Sequence, residues 1–205
     1  FVAQLNSGAL PIKLSVVGQT LIGPTLGRES VDMAVKGGLV GLLAVILFML
    51  IYYRMPGLIA DIALLLYALL NLALFRLVPV TLTLAGIAGF VLSIGMAVDA
   101  NILIFERMKE ELRAGRSLNS AMEAGFSRAW TSIRDSNIST LITCVILFYF
   151  GQAFAAGSVR GFAITLALGV VINLFTAITV TRTLMRVLHA WSGEKLRDSE
   201  LLATR

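Results

Sequence analysis

Five stretches of the chain run long and apolar between clusters of charge. Residues 37–53 are 17 uncharged positions, residues 136–159 are 24 and residues 161–181 are 21. Residues 55–75 are broken only by Asp61, and residues 77–105 carry one charge, Asp99. A membrane crossing takes about 20 mostly apolar residues. The pattern therefore predicts an all-α membrane protein, a bundle of five transmembrane helices over about 33–53, 56–75, 82–105, 136–156 and 160–183. Between the third and fourth spans, Leu118, Met122, Gly125, Phe126, Ala129, Trp130 and Ile133 recur at helical spacing. Glu123, Arg128, Thr131 and Arg134 take the other face. The loop 106–135 is thus expected to hold an amphipathic helix opening at Ser117, lying in the interface plane or packed beneath the bundle.

The first 32 residues break this pattern. Gly8-Ala9-Leu10-Pro11 and Gly23-Pro24-Thr25-Leu26-Gly27 are turn-rich, and residues 12–17 have strand character. Residues 1–32 read as the end of an extracytoplasmic domain and a linker, with Ser30 or Asp32 capping the first span. The chain opens on Phe1 without a signal peptide, which reads as a fragment of a longer protein.

Composition agrees with a lipid setting. Hydrophobic residues make up 58% and charged residues 14%, where soluble domains carry about 25% charged. The net charge of +5 lies in the connections, which argues for topology signals over nucleic-acid binding. Twelve basic residues fall at Arg54, in 106–135 and in the C-terminal region from Arg182 on; five fall on the other side. The richer side is expected to be cytoplasmic, which puts the N-terminus outside and the tail 189–205 inside. Cys144 is the only cysteine, so no internal disulfide or cysteine-based metal site is expected.

Asp99 carries the most information. A charged carboxylate at such depth costs at least about 2.5–3.5 kcal/mol, and intramembrane ionisable groups are functional by default. Water-poor surroundings penalise the charged form, which suits a group that loads a proton from one side and releases it to the other. Ala85, Ala88, Leu92 and Gly95 share its face, so a neighbouring helix is expected to cover it. Thr165, Gly169, Asn173 and Thr176 form a polar stripe on the last span, and Asn137, Thr140 and Cys144 one on the fourth. Asn137, Thr140 and Asn173 are candidates for a proton path or a helix interface. Asn101 points away from Asp99 and is expected to anchor a different face. Asp61, close after Pro56-Gly57, is read as a partner of the helix dipole. Gly37–Gly41 and Gly157–Gly161 have GxxxG spacing, a weak packing signal. No GxSxG elbow occurs, and Asp61 with Asp99 is the only candidate pair for an aspartyl mechanism, so no enzyme is expected.

The stretch from Thr81 to Phe90 (TLTLAGIAGF) followed by Gly95 to Arg107 (GMAVDANILIFER) resembles the signature of the SecD branch of the SecD/SecF family, in the RND superfamily. GALP at Gly8, IGPTLG at Ile22, DSNISTLI at Asp135 and RGFAITL at Arg160 resemble its other motifs in the same order. Ala85 stands where many relatives have Pro, which predicts a less kinked start to the third span. The resemblance implies a subunit that uses the proton motive force with SecF to drive preproteins through the SecYEG channel. Asp99 occupies the position of an Asp implicated in proton transport, and the five spans would be the second to sixth of six. It implies no cofactor, a multi-pass place in the bacterial inner membrane, and SecF, SecYEG, the translocating preprotein, lipids and YidC as candidate partners. The alternative reading is an RND-type proton-driven exporter of small molecules or lipids.

Overall fold

The structure is a computed structural model that describes residues 24–78 and 83–192, with side chains from 29 to 78 and 83 to 188. The strand expected at 12–17, the GALP turn and residues 193–205 of the tail expected at 189–205 lie outside the described residues. The described chain is a helical membrane bundle of α1 (Pro24–Tyr53), α2 (Met55–Leu77), α3 (Leu84–Arg113), α4 (Leu118–Ala153) and α5 (Gly157–Phe175). A π-helical segment (Thr176–Thr181) then runs without a break into α6 (Arg182–Ser192). Five helices are long and apolar enough to cross a membrane, the last running from Gly157 to Leu188.

Several boundaries differ from the sequence expectation. Helix α1 begins at Pro24, inside the segment read as turn-rich. Proline is tolerated in a first helical turn, where its missing N–H has no partner to lose. Ser30 and Asp32 therefore sit within the helix and do not cap it. The amphipathic segment is helical, but it is the first part of α4, which continues unbroken through the fourth span. Ala121, Met122, Gly125, Phe126, Ala129 and Ile133 are buried, so its apolar face packs on protein instead of lying in the lipid interface. Trp130, placed on that face by spacing, is 37% exposed. Ser117 holds the N-cap position without a side-chain bond. Ala85 is the second residue of α3, after an N-cap in which Thr83 Oγ1 accepts from Gly86 N at 3.1 Å. A proline would be accommodated there without a kink, so this substitution leaves the helix start unchanged.

Helix α3 is the hub: α4 and α5 pack along it most extensively, α1 and α2 on another flank. Helices α3 and α5 run parallel, since Gly86 lies by Gly161 and Gly169 by Ser93. Small residues set their spacing. A Cβ on Gly89 would lie 2.9 Å from the Phe162 carbonyl oxygen, and one on Gly125 would lie 2.9 Å from Met108 N. The GxxxG pairs do less than their spacing implied. Gly37, Gly41 and Gly157 have nothing near them, and only Gly161 is close-packed, against Thr83.

Ion pairs knit the charged end of the bundle. Glu111 is buried on α3, with Arg128 at 2.5 Å and Arg116 at 2.9 Å. Glu123 on α4 pairs with Arg182 and, at 2.6 Å, with Arg186. Tyr53 donates to Glu106 at 3.0 Å, and Lys109 bonds the same carboxylate at 3.1 Å while lying 4.6 Å from the Tyr53 ring centre.

The approach of α5 to α3 at Gly169 yields a test. A Cβ on Gly169 would lie 2.5 Å from Ser93 Cβ and 2.8 Å from the Tyr67 hydroxyl. Overpacking of this kind costs about 1–3 kcal/mol. Gly169→Ala is expected to lower the thermal unfolding midpoint in detergent, whereas Gly37→Ala, in open space, leaves it unchanged.

Candidate functional site

Helix α3 has two contrasting faces. On one, Ala97, Val98, Ala100, Asn101, Ile104 and Phe105 are buried. On the other, Ala88, Leu92, Gly95 and Asp99 are exposed, and a Cβ on Gly95 would meet nothing within 4 Å. The stripe expected around Asp99 is thus present, but no helix among the described residues covers it. The reason is geometric. Asn101, Ala97 and Ser93 turn toward α2 and the α5 side, and a helix cannot present both faces to the same neighbours.

The buried face of α3 meets a polar seam on α5. Thr165, Asn173 and Thr176 are all buried, as the stripe on the last span predicted. Thr165 and Thr176 donate to carbonyls of their own helix, at 3.1 Å to Gly161 and 3.1 Å to Ile172. Asn173 crosses to α3, donating to the Met96 carbonyl at 3.4 Å, one turn before Asp99. Its Oδ1 is buried without a partner. Asn101 is buried as expected, and its Oδ1 accepts from Thr181 at 2.9 Å. Tyr67 on α2 donates to Ser93 at 2.5 Å, and Ser93 passes the bond to the Phe90 carbonyl at 2.7 Å.

The fourth-span candidates sit apart. Asn137 is buried and donates to the Ile133 carbonyl at 2.7 Å, while half-buried Thr140 donates to Ser136 at 3.1 Å. Asn137, Thr140 and Asn173 are thus engaged with backbone carbonyls and not with the Asp99 carboxyl. Cys144 is buried on the same helix.

Two features have no local signature in the chain. The Asn101–Thr181 bond joins residues 80 apart, and no local spacing signals such a pair. The π-helical winding of Thr176–Thr181 coincides with it; single π turns inside helices recur at functional sites. Below them a groove of about 680 Å³ opens at the charged end, lined by Ile104, Glu123, Trp130, Ile178 and Arg182 among others.

Asp61 departs from its helix-dipole reading. It lies beyond the first turn of α2, is 7% exposed, and neither carboxyl oxygen has a hydrogen-bond partner. Tyr67–Ser93 joins α2 to α3, and Tyr53–Glu106 ties the end of α1, just before α2 begins, farther along α3, so α2 and α3 run antiparallel. Asp61 is therefore level with Asp99, yet buried while Asp99 is exposed, so the two do not form a dyad.

Residues 3–191 match the family model described as protein export membrane protein SecD/SecF, C-terminal. The chain belongs to the SecD/SecF protein-export family. Within it, protein translocase subunit SecD of Thermobaculum terrenum is 58% identical over 184 residues, covering 90% of this chain and 36% of that protein. SecD of Dehalococcoides mccartyi is also 58% identical, over 195 residues, with 94% and 43% coverage. The crystal structure of SecDF from Thermus thermophilus, a translocon-associated membrane protein, superposes with a TM-score of 0.81 at 42% identity. That match covers 91% of this chain and 26% of that one. The chain thus spans well under half the length of these SecD relatives, and family and helices together make it part of a multi-pass inner-membrane protein.

Removing the donor in Thr181→Val strands the Asn101 oxygen. Interhelical hydrogen bonds in membranes average about 0.6 kcal/mol. A double-mutant cycle with Asn101→Ala, read by thermal unfolding in detergent, is expected to return a favourable coupling of about that size.

Proposed function

We propose that this chain is the membrane motor part of a SecD-type subunit, in which Asp99 gains and loses a proton to power preprotein export. One observation carries the reading: an ionisable side chain on an uncovered stripe of small residues, in the middle helix of a bundle from a protein-export family. An uncovered carboxyl at membrane depth needs a protein or water partner, because lipid offers it none. The stripe of Ala88, Gly95 and Asp99 suits close approach by a helix of another protein domain. SecF is the proposed occupant, with Asp99 at the shared surface.

Each protonation state of Asp99 would then favour a different packing of α3 against SecF. One charge moved through roughly 100 mV gains about 2.3 kcal/mol, enough to shift a two-state packing by about fifty-fold. The shift would pass along α1 to the extracytoplasmic domain ended by residues 1–32, and so to the preprotein in SecYEG, with YidC as a further neighbour. Positive-inside charge supports an outside N-terminus and a cytoplasmic tail at 189–205. Asn173, bonded one turn from Asp99, is the proposed conformational contact, and Asn137 and Thr140 serve the interface of α4. The names of the relatives support export of proteins over an exporter of small molecules or lipids.

Asp99→Asn keeps the volume and removes the titration. In proteoliposomes holding the full complex, it is expected to abolish gradient-driven stimulation of preprotein export and proton conduction while assembly with SecF persists. Undiminished gradient-driven export in that variant would overturn the reading.

A further inference from the structure

We propose that Asp61 is a second proton-binding site, distinct from Asp99, which controls how tightly α1 is held to the bundle. The side chain is buried, and among the described residues both oxygens lack a hydrogen-bond partner and solvent contact. Gly57 lies one turn earlier on the same face of α2, and there the helices touch: a Cβ on Gly57 would overlap the Met49 carbonyl. Helices α1 and α2 are antiparallel about that contact, so Asp61 comes level with Val45, itself packed against the apolar core. Across that contact the facing stretch of α1, residues 37–51, is apolar, and no hydrogen-bond donor among the described residues reaches the carboxyl.

Among the described residues no cation is paired with Asp61. On α1, residues 37–53 hold only Tyr52 and Tyr53 as titratable groups, and Tyr53 is bonded to Glu106. On α3, Asp99 lies on the exposed face and Lys109 is engaged by Glu106. Residues 161–181, covering α5 and the π segment, are uncharged, and Arg182 and Arg186 beyond them are held by Glu123. On α2 itself, Tyr67 is committed to Ser93. An ionised carboxylate without partners is strongly disfavoured in such a place. The packed arrangement therefore requires Asp61 to keep its proton. Losing the proton calls for water, and the nearest way to admit it is for α1 to draw back. Helix α1 is suited to that movement, being the least covered of the five spans and the helix joining residues 1–23 to the bundle. Low pH then favours the packed α1, and the hold weakens as pH rises and Asp61 ionises. This role does not depend on Asp99.

Dicyclohexylcarbodiimide, which reacts with protonated carboxyls in apolar surroundings, tests the site in the full-length subunit within its complex in liposomes. Mass mapping is expected to find the adduct on Asp61 at neutral pH, absent in Asp61→Asn and retained in Asp99→Asn. A second measurement follows α1. With Cys144 replaced by Ala, maleimide labelling of Val45→Cys should rise with pH about ten-fold more with Asp61 present than in Asp61→Asn. Asp61→Leu, which has no polar group, should match the Asn variant. No adduct on Asp61 at neutral pH overturns the proton site, and parallel pH profiles in the three backgrounds overturn its control of α1.

Discussion

The near contact of α3 with α5 governs what the rest of the bundle does. Lipid offers no hydrogen bonds, so each buried polar group must find its partner within protein. Gly89 and Gly169 bring the two helices close enough for Asn173 to reach the Met96 carbonyl and for Thr181 to reach Asn101. With that side of α3 committed, Asp99 is turned to the opposite side. The close approach therefore determines both the stability of the core and the direction in which the ionisable group points.

The two intramembrane carboxyls illustrate how the same side chain serves differently by position. Asp99 lies on a face lined by small residues and open to a partner, while Asp61 at the same level is enclosed by α2 and its neighbours. The first is exposed as the bundle stands; the second becomes exposed only through a change in packing. A membrane bundle can in this way keep one carboxyl on an open face and enclose another at the same depth.

Much of this was legible in the chain. Five apolar runs over 37–53, 55–75, 77–105, 136–159 and 161–181 defined the helices because a span must satisfy its backbone internally, which leaves few alternatives. The stripe Thr165, Gly169, Asn173, Thr176 was readable because the helical period puts these residues on one face. The unbroken passage from amphipathic segment to span in α4 was not, since polar Asp135 and Ser136 mark a change of surroundings and no change of backbone. The burial of Asp61 was hidden for a similar reason: distance from a helix start is local, whereas enclosure depends on α1, whose packing on α2 is set by the Gly57–Met49 contact. Asn101 was assigned to the correct side by its offset from Asp99, but its partner Thr181 is far along the chain and depends on the π winding.

That winding has a mechanical consequence. A π turn holds an additional residue within a helix that is otherwise regular. Were this surplus to migrate along the helix, the residues it passed would each rotate by about 100°. Thr181 would swing away from Asn101, and Arg182 would swivel relative to Glu123. The last span thus stores slack like a loose coil in a spring, able to turn its lower end while its upper end stays clamped.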